Sequence, residues 1–306
     1  MGEAVAEERS RPASAAAARV RRRRDELRAW GFTGPGVLWV FAFTVFPLVR
    51  TVVLAFQRTT LYGNKFAGFG NFVRLWKDYR FWTGLRVTLV FVVCSVAATL
   101  LLGTILALAL NRGIRGTRYF RALSILPMFA APIALGYLGL TIFYEQGGPV
   151  NNALVRLGLP PVRWLSDGRW GVVSILSVDV WQWTPFVFLV VLAALQSVPP
   201  ELLDAGRLET DSSWVLFTRV TLPLIRAPLG TVIILRIVEA FKVFDIPFTL
   251  TNGGPGIATR TLTYNVYTSA LRNQDFGYAA SMAVVMLALV SIAAVIFYRL
   301  QRGAYE

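Results

Sequence analysis

Arg236, Glu239, Lys242 and Asp245 recur at steps of three inside the otherwise apolar run APLGTVIILRIVEAFKVFDIPF. Residues three and four apart are neighbours on a helix, so this order lays charges of alternating sign along one slowly drifting stripe. Such a stripe is costly against lipid. It belongs against other helices as a salt-bridged packing seam, or against a polar cavity as the lining of a pathway, and both readings stand. Asp179, in SVDVWQWTPF, is the other deep acid, and Arg236 or Lys242 is its expected partner across helices. Trp181 and Trp183 follow, then Pro185. Aromatic faces are platforms for sugar rings or for neighbouring helices, and a proline kinks a helix and frees backbone groups.

Other chemistry is ruled out by what the chain lacks. It has no histidine, which removes the commonest general base and the Ser-His and Cys-His nucleophile pairs. Its single cysteine, Cys94, lies in an apolar run, so neither a disulfide framework within the chain nor a Cys/His metal site is expected. No catalytic residue, metal ligand or cofactor is assigned to this chain. The lysines Lys65, Lys77 and Lys242 are not preceded by glycine, so there is no phosphate-binding P-loop.

A second constellation is suited to recognition. VPPELLDAGRLETDSSWVLFTRVTLP, residues 198–223, gathers Glu201, Asp204, Arg207, Glu209, Asp211 and Arg219 between two apolar runs. Pro200 suits a helix start, and Glu201 and Asp204 complement the dipole of its first turn. Ala205 and Gly206 make the centre of one face small, which allows a partner to approach closely. Trp214, Phe217 and Val220 form a second amphipathic segment that is expected to pack back toward the membrane. The segment reads either as a docking element or as a surface-lying connector.

These residues must be held by membrane helices. Of the 306 residues, 55% are hydrophobic and 16% charged, well below the charge content of ordinary soluble domains. Six runs are long enough to cross a bilayer: Gly36–Phe56, Phe81–Leu110, Phe120–Phe143, Gly171–Leu195, Ala227–Phe248 and Tyr278–Tyr298. Open sheets cannot span lipid, so the fold class is an all-α membrane protein with six transmembrane helices. Pro127 and Pro132 mark a kink in the third span or simply reflect the frequency of proline in membrane helices. Net charge is +14, and Lys and Arg are in excess on the side of the N-terminal tail, which gives an N-in, C-in orientation. Residues 1–33 read as a disordered basic cytoplasmic tail whose Arg21–Arg24 run anchors at anionic headgroups and not on nucleic acid. Arg50 and Arg86 lie near helix ends and can snorkel to the interface.

The segment 198–223 is similar to the EAA signature of permease subunits in binding-protein-dependent ABC importers, especially the carbohydrate group related to maltose permeases. It offers Glu201-Leu202, then Asp204-Ala205-Gly206, then Glu209, Trp214, Phe217 and Thr221-Leu222-Pro223. Gly206 stands where the pattern has a second alanine, and Glu209-Thr210 stands for its Asp-Gly. FGNFVRLWKDYR, VWQWTPF, LRIVEAFKVFDIPFTLTNGGPG and FGYAASMAVV extend the resemblance over most of the chain beyond about residue 33. Thr251-Asn252-Gly253-Gly254-Pro255 is typical of the first of the two unlike permeases.

The resemblance implies a type I-like importer fold, with residues 34–303 as the permease domain in a bacterial or archaeal cell inner membrane. A cytoplasmic coupling helix between helices 4 and 5 would dock on an ATPase through Glu201, Asp204, Ala205, Gly206, Glu209 and Trp214. Asp179, Trp181, Arg236, Glu239, Lys242 and Asp245 would line the pathway or its charge network, and Gly253, Gly254 and Pro255 would face the binding protein. The implied partners are two copies of an ABC ATPase carrying ATP and Mg, a second permease, an extracytoplasmic solute-binding protein, membrane lipid and a sugar or related polyol, with a glycerol-phosphate-type solute as the alternative. An ion-coupled secondary transporter is the competing function. It would want a coupling acid such as Asp179, but it leaves segment 198–223 unexplained. A membrane enzyme would need the clustered catalytic groups that are missing.

Overall fold

A computed structural model describes residues 28–60, 63–111 and 117–302. The tail expected over residues 1–33 lies outside the described residues as far as Leu27, and from Arg28 the chain is helical. The chain divides into two units at Leu54/Ala55, the first of which is essentially one helix, α1 (Arg28–Ala55), 28 residues long and able to span a bilayer.

The second unit opens on a departure from the all-helical expectation. Strands β1 (Gln57–Thr60) and β2 (Gly63–Phe66) form an antiparallel hairpin, with Gln57 opposite Phe66. Helix α2 (Gly70–Lys77) fastens it, because Asn71 Nδ2 donates to the carbonyls of Ala55 and Gln57 at 2.9 and 2.8 Å. Helix α3 (Tyr79–Asn111) is the second span. Gly103 lets it lie directly on a later helix, since a Cβ there would meet Val187 at 2.7 Å.

The next apolar run is sharply bent. Helices α4 (Thr117–Ser124), α5 (Leu126–Phe129) and α6 (Pro132–Ile142) follow in turn, and the halves 119–129 and 132–142 meet at 101°. Pro132 has no N–H and pushes the residue before it out of the helical region, so Ala131 is extended. After α7 (Pro149–Arg156) comes α8 (Gly168–Gln196), which is capped by the Asp167 carboxylate accepting from the N–H groups of Arg169 and Trp170 and runs unbroken past Pro185.

The polar connection folds as α9 (Pro200–Glu209) and α10 (Ser213–Leu216). One widened turn, Phe217–Thr221, leads directly into α11 (Leu222–Phe241). The chain then breaks at residues 242–244 before α12 (Asp245–Leu250), α13 (Leu262–Tyr267) and the last span, α14 (Phe276–Arg302). Five helices among the described residues are long and apolar enough to cross a membrane, or six if the bent pair is one span. The core lies mainly along α3, α8 and α11, where Val187, Phe188, Val191, Ile225 and Val232 are buried. A second cluster joins α3, α6 and α8 to the chain on both sides of the 242–244 break.

Candidate functional site

In the middle of the bundle, α8 presents Asp179, α11 presents Arg236 and α3 presents Ser95. Arg236 Nη2 donates to Asp179 Oδ2 at 2.8 Å. The Ser95 hydroxyl donates to the same carboxylate oxygen and accepts from the same guanidinium nitrogen. The guanidinium also lies over the Trp183 ring, 5.0 Å from its centroid. Arg236 is 0% exposed, and an isolated charge at that depth would carry a desolvation penalty of several kcal/mol; the ion pair, the serine and the ring offset it. Arg236 Nε and Nη1 have no hydrogen-bond partner among the described residues.

Lys242 is not the partner of Asp179. It donates to Glu239 Oε1 at 2.7 Å. The four-charge stripe is not a continuous helical face either, because α11 ends at Phe241 and Asp245 opens the next helix. The reason lies four residues further along: Pro247 has no N–H to give the Val243 carbonyl. Two threonines take over the free acceptors, Thr261 Oγ1 donating to Val243 O at 2.9 Å and Thr263 Oγ1 to Phe241 O at 3.3 Å.

The breaks at 130–131 and 242–244 flank a cavity of about 260 Å³ whose walls include Pro132, Asp179, Gln182, Glu239, Lys242 and Asp245. Trp183 also lines it. Trp181 does not, and it is 49% exposed. The spacing carried this information: Gln182 and Trp183 are i+3 and i+4 from Asp179 and share its face, whereas i+2 points about 200° round the helix. Gln182 is 4% exposed; its Nε2 reaches the Ala130 carbonyl freed by the first break at 3.3 Å, and its Oε1, itself buried, has no partner among the described residues.

In the polar connection, Glu201, Leu202, Asp204, Ala205, Leu208 and Glu209 are exposed on α9, Leu208 at 91%. Gly206 departs from the expectation that it makes room for a partner. It is buried against its own chain, where a Cβ would meet Leu216 Cδ1 at 2.6 Å and Val220 Cγ2 at 3.2 Å. Trp214 is 71% exposed, with the Phe217 ring 6.1 Å away. Thr210, in place of the glycine of the signature, has φ −155° and ψ 135°, an extended conformation open to any residue.

At the other end, Gly253 is buried beneath Arg260 and Tyr264 with φ 78°, so glycine is needed there for both the turn and the close approach, while Pro255 is exposed. Gly254 is half-buried, and its carbonyl accepts from Thr259 Oγ1 at 2.9 Å. Glu145, which sequence reasoning did not single out, ties the loop before α8 by accepting from the N–H groups of Leu165 and Ser166 at 2.8 and 2.7 Å. Partial burial, the largest influence, pushes its carboxyl upward. These donors, the Ser166 hydroxyl and the nearby Arg163 together outweigh it, so the group lies below the ordinary carboxylate range. Among the described residues no cluster of His, Cys, Asp and Glu could hold a metal ion.

Residues 66–304 match the family described as binding-protein-dependent transport system inner membrane component. The chain belongs to this family. It is therefore a multi-pass inner membrane permease and not an enzyme. The lactose transport system permease protein LacF of Rhizobium radiobacter is 30% identical over 87% of this chain and 91% of its own. The sulfoquinovosyl glycerol transport system permease protein SmoG of Agrobacterium fabrum is 29% identical over 91% of each. A chain in the crystal structure of a bacterial alginate ABC transporter, solved in complex with an alginate pentasaccharide-bound periplasmic protein, shares the fold with a TM-score of 0.80 at 21% identity, over 91% of this chain and 95% of that one.

Proposed function

We propose that this permease carries a sugar or related polyol across the membrane as one half of an unlike pair, with residues 34–303 forming six N-in, C-in spans. Two copies of an ATPase subunit supply ATP and Mg chemistry from the cytoplasmic side, and an extracytoplasmic solute-binding protein delivers the solute. Residues 198–223 are the coupling segment. Alternating access follows when closure of the ATPases moves that segment and the cavity at Asp179 changes the side to which it opens.

The observation that carries this reading is the exposed surface of α9 and α10. Leu208 on α9 is 91% exposed and Trp214 on α10 71%, Glu201, Asp204 and Glu209 are exposed on the same connection, and no described residue covers them. Large apolar groups beside acids on a membrane protein's polar connection are docking chemistry. A sugar class for the solute is supported by the carbohydrate systems named for the relatives. An ion-coupled mechanism is disfavoured because Asp179, its candidate coupling acid, is already neutralised by Arg236.

Glu209→Lys tests the docking role. The variant is expected to insert and assemble its helices normally while losing most binding-protein-stimulated ATP hydrolysis in the reconstituted complex. Unchanged hydrolysis and uptake would remove Glu209 from the interface.

A further inference from the structure

Helices α3 and α8 lie side by side and parallel. Ser95 meets Asp179, and eight residues further along each helix Gly103 meets Val187. Arg86 stands nine residues before Ser95 and Arg169 ten before Asp179, so the two arginines sit at one level near the starts of both helices. They line a groove of about 560 Å³ between α3 and α8. Both are exposed, and neither guanidinium has an ion pair or hydrogen bond among the described residues. Asp167 is the one acid on the described wall. Its Oδ1 is occupied by the N–H groups of Arg169 and Trp170, so two cations face one carboxylate already engaged in capping α8.

Away from the arginines the wall turns apolar. Val87, Val90 and Val172 line it, and the exposed Val93 and Val173 continue the two helices toward the middle of the bilayer. Ala258 closes one side against Gly168, where a Cβ would meet it at 2.7 Å. Trp82, one turn before Arg86, and Trp170, next to Arg169, are exposed too. Tryptophans and arginines gathered at one depth of a spanning helix mark the headgroup level. An arginine there must reach water or find a counter-charge, and its fork matches two oxygens of a phosphate. A soluble anion would leave the valines uncovered, and an uncharged chain would leave the guanidiniums unpaired. The shape and the charge together call for an amphiphile with an anionic head.

We propose that this groove is a binding site for one anionic phospholipid, its phosphate held between Arg86 and Arg169 and one acyl chain laid along Val87, Val90 and Val172. The lipid comes from the leaflet at which α3 and α8 begin. The site lies apart from the cavity at Asp179, and it requires only that these two helices span the membrane, whatever solute the permease carries.

The test counts lipids on the complex as it co-purifies from its membrane. After detergent exchange has stripped it, an equimolar mixture of palmitoyl-oleoyl phosphatidylglycerol and phosphatidylethanolamine is added, and the retained molecules are counted by native mass spectrometry. The parent is expected to keep one phosphatidylglycerol more than Arg86→Gln with Arg169→Gln, and to prefer it over phosphatidylethanolamine about tenfold at that place. Val90→Trp leaves both cations but fills the apolar wall, and it should lose the same lipid. Inorganic phosphate in about hundredfold excess should not displace it, because a free anion gains nothing from the valines.

Equal occupancy by the two lipids, or no lipid on the parent that the glutamine variant lacks, as when a second permease fills the groove, would overturn the proposal. So would retention by Val90→Trp or displacement by inorganic phosphate, either of which would reduce the site to a headgroup contact. In lipid-free detergent the glutamine variant should unfold at the parent's midpoint, since both side chains are exposed and unpaired. A lower midpoint there would show that the arginines serve the fold, and would overturn the assignment as well. Failure of the permease reading is visible separately, as absence of an associated ATPase from the complex.

Discussion

Asp179→Leu would leave Arg236, already wholly buried, without its carboxylate, while Asp179→Leu with Arg236→Leu would remove both charges together. Breaking one partner of a buried pair costs about 3 kcal/mol or more, whereas replacing both by apolar groups is often close to neutral. The single variant is therefore expected to lower the unfolding midpoint of the detergent-solubilised complex and the double variant to recover most of it. Equal loss in both would mean that the pair adds no stability of its own. Glu145 gives the corresponding test outside the membrane. Its native pKa lies below the ordinary value of 4.5, so its contribution is complete above that pH and is lost as pH falls through the lower native value. The stability gap between wild type and Glu145→Gln should be constant near neutrality and close in acid. Of these residues, Asp179 and Arg236 were legible because unpaired charges in a 20-residue apolar run must find each other. Ser95 was not, since a serine in a membrane helix satisfies itself on its own backbone as readily as it joins a network. Gln182 and Trp183 were available from helical spacing, whereas the doublet Trp181 and Trp183 spans two faces of the helix, of which only that of Trp183 lines the cavity.

Elements end where backbone groups can be satisfied elsewhere, and that governs both broken apolar segments. Hydropathy located the third and fifth segments but read each as one helix, because it weighs side chains and ignores which peptide groups lose a partner at Pro132 and Pro247. The β-hairpin was missed for a related reason. Residues 57–66 are polar and short, and what holds them is the side chain of Asn71, 14 residues beyond Gln57. At the 242–244 break, Thr261→Val with Thr263→Val would strand the carbonyls of Val243 and Phe241, at about 1–3 kcal/mol for each group left dry. Backbone amides of residues 242–246 should then exchange with solvent markedly faster, and unchanged protection would show that the threonines are dispensable. In the polar connection, Gly206→Ala should be tolerated, since the atom it meets first is the tip of a flexible leucine. Gly206→Phe should cost about 1–3 kcal/mol, split α9 from the segment that follows and expose it to limited proteolysis.

At the scale of the whole molecule, composition and hydropathy disclosed a multi-spanning helical protein, and the motif at 198–223 disclosed the family. Neither could show where the chain's own surface ends and a partner's begins, because exposed apolar residues serve lipid and protein contacts alike. Gentle extraction of the tagged chain from its native membrane is expected to bring with it an ATPase and a second permease, and a chain that purified alone and well folded would count against the assembly. One feature of the backbone bears on how such an assembly would do work. From Ser213 to Phe241 the chain is continuously helical, through one wide turn at Phe217–Thr221 and past Pro228. At 1.5 Å per residue that is a rod of about 40 Å. Its near end rests on Gly206 through Leu216 and Val220, and its far end is Lys242 and Val243 on the cavity wall. A continuous helix delivers at one tip the stroke applied at the other, so a tilt of a few degrees imposed at the polar connection would arrive at the cavity wall as a displacement of about 3 Å, with the wide turn and the missing backbone bond at Pro228 the two places that can absorb any of the load.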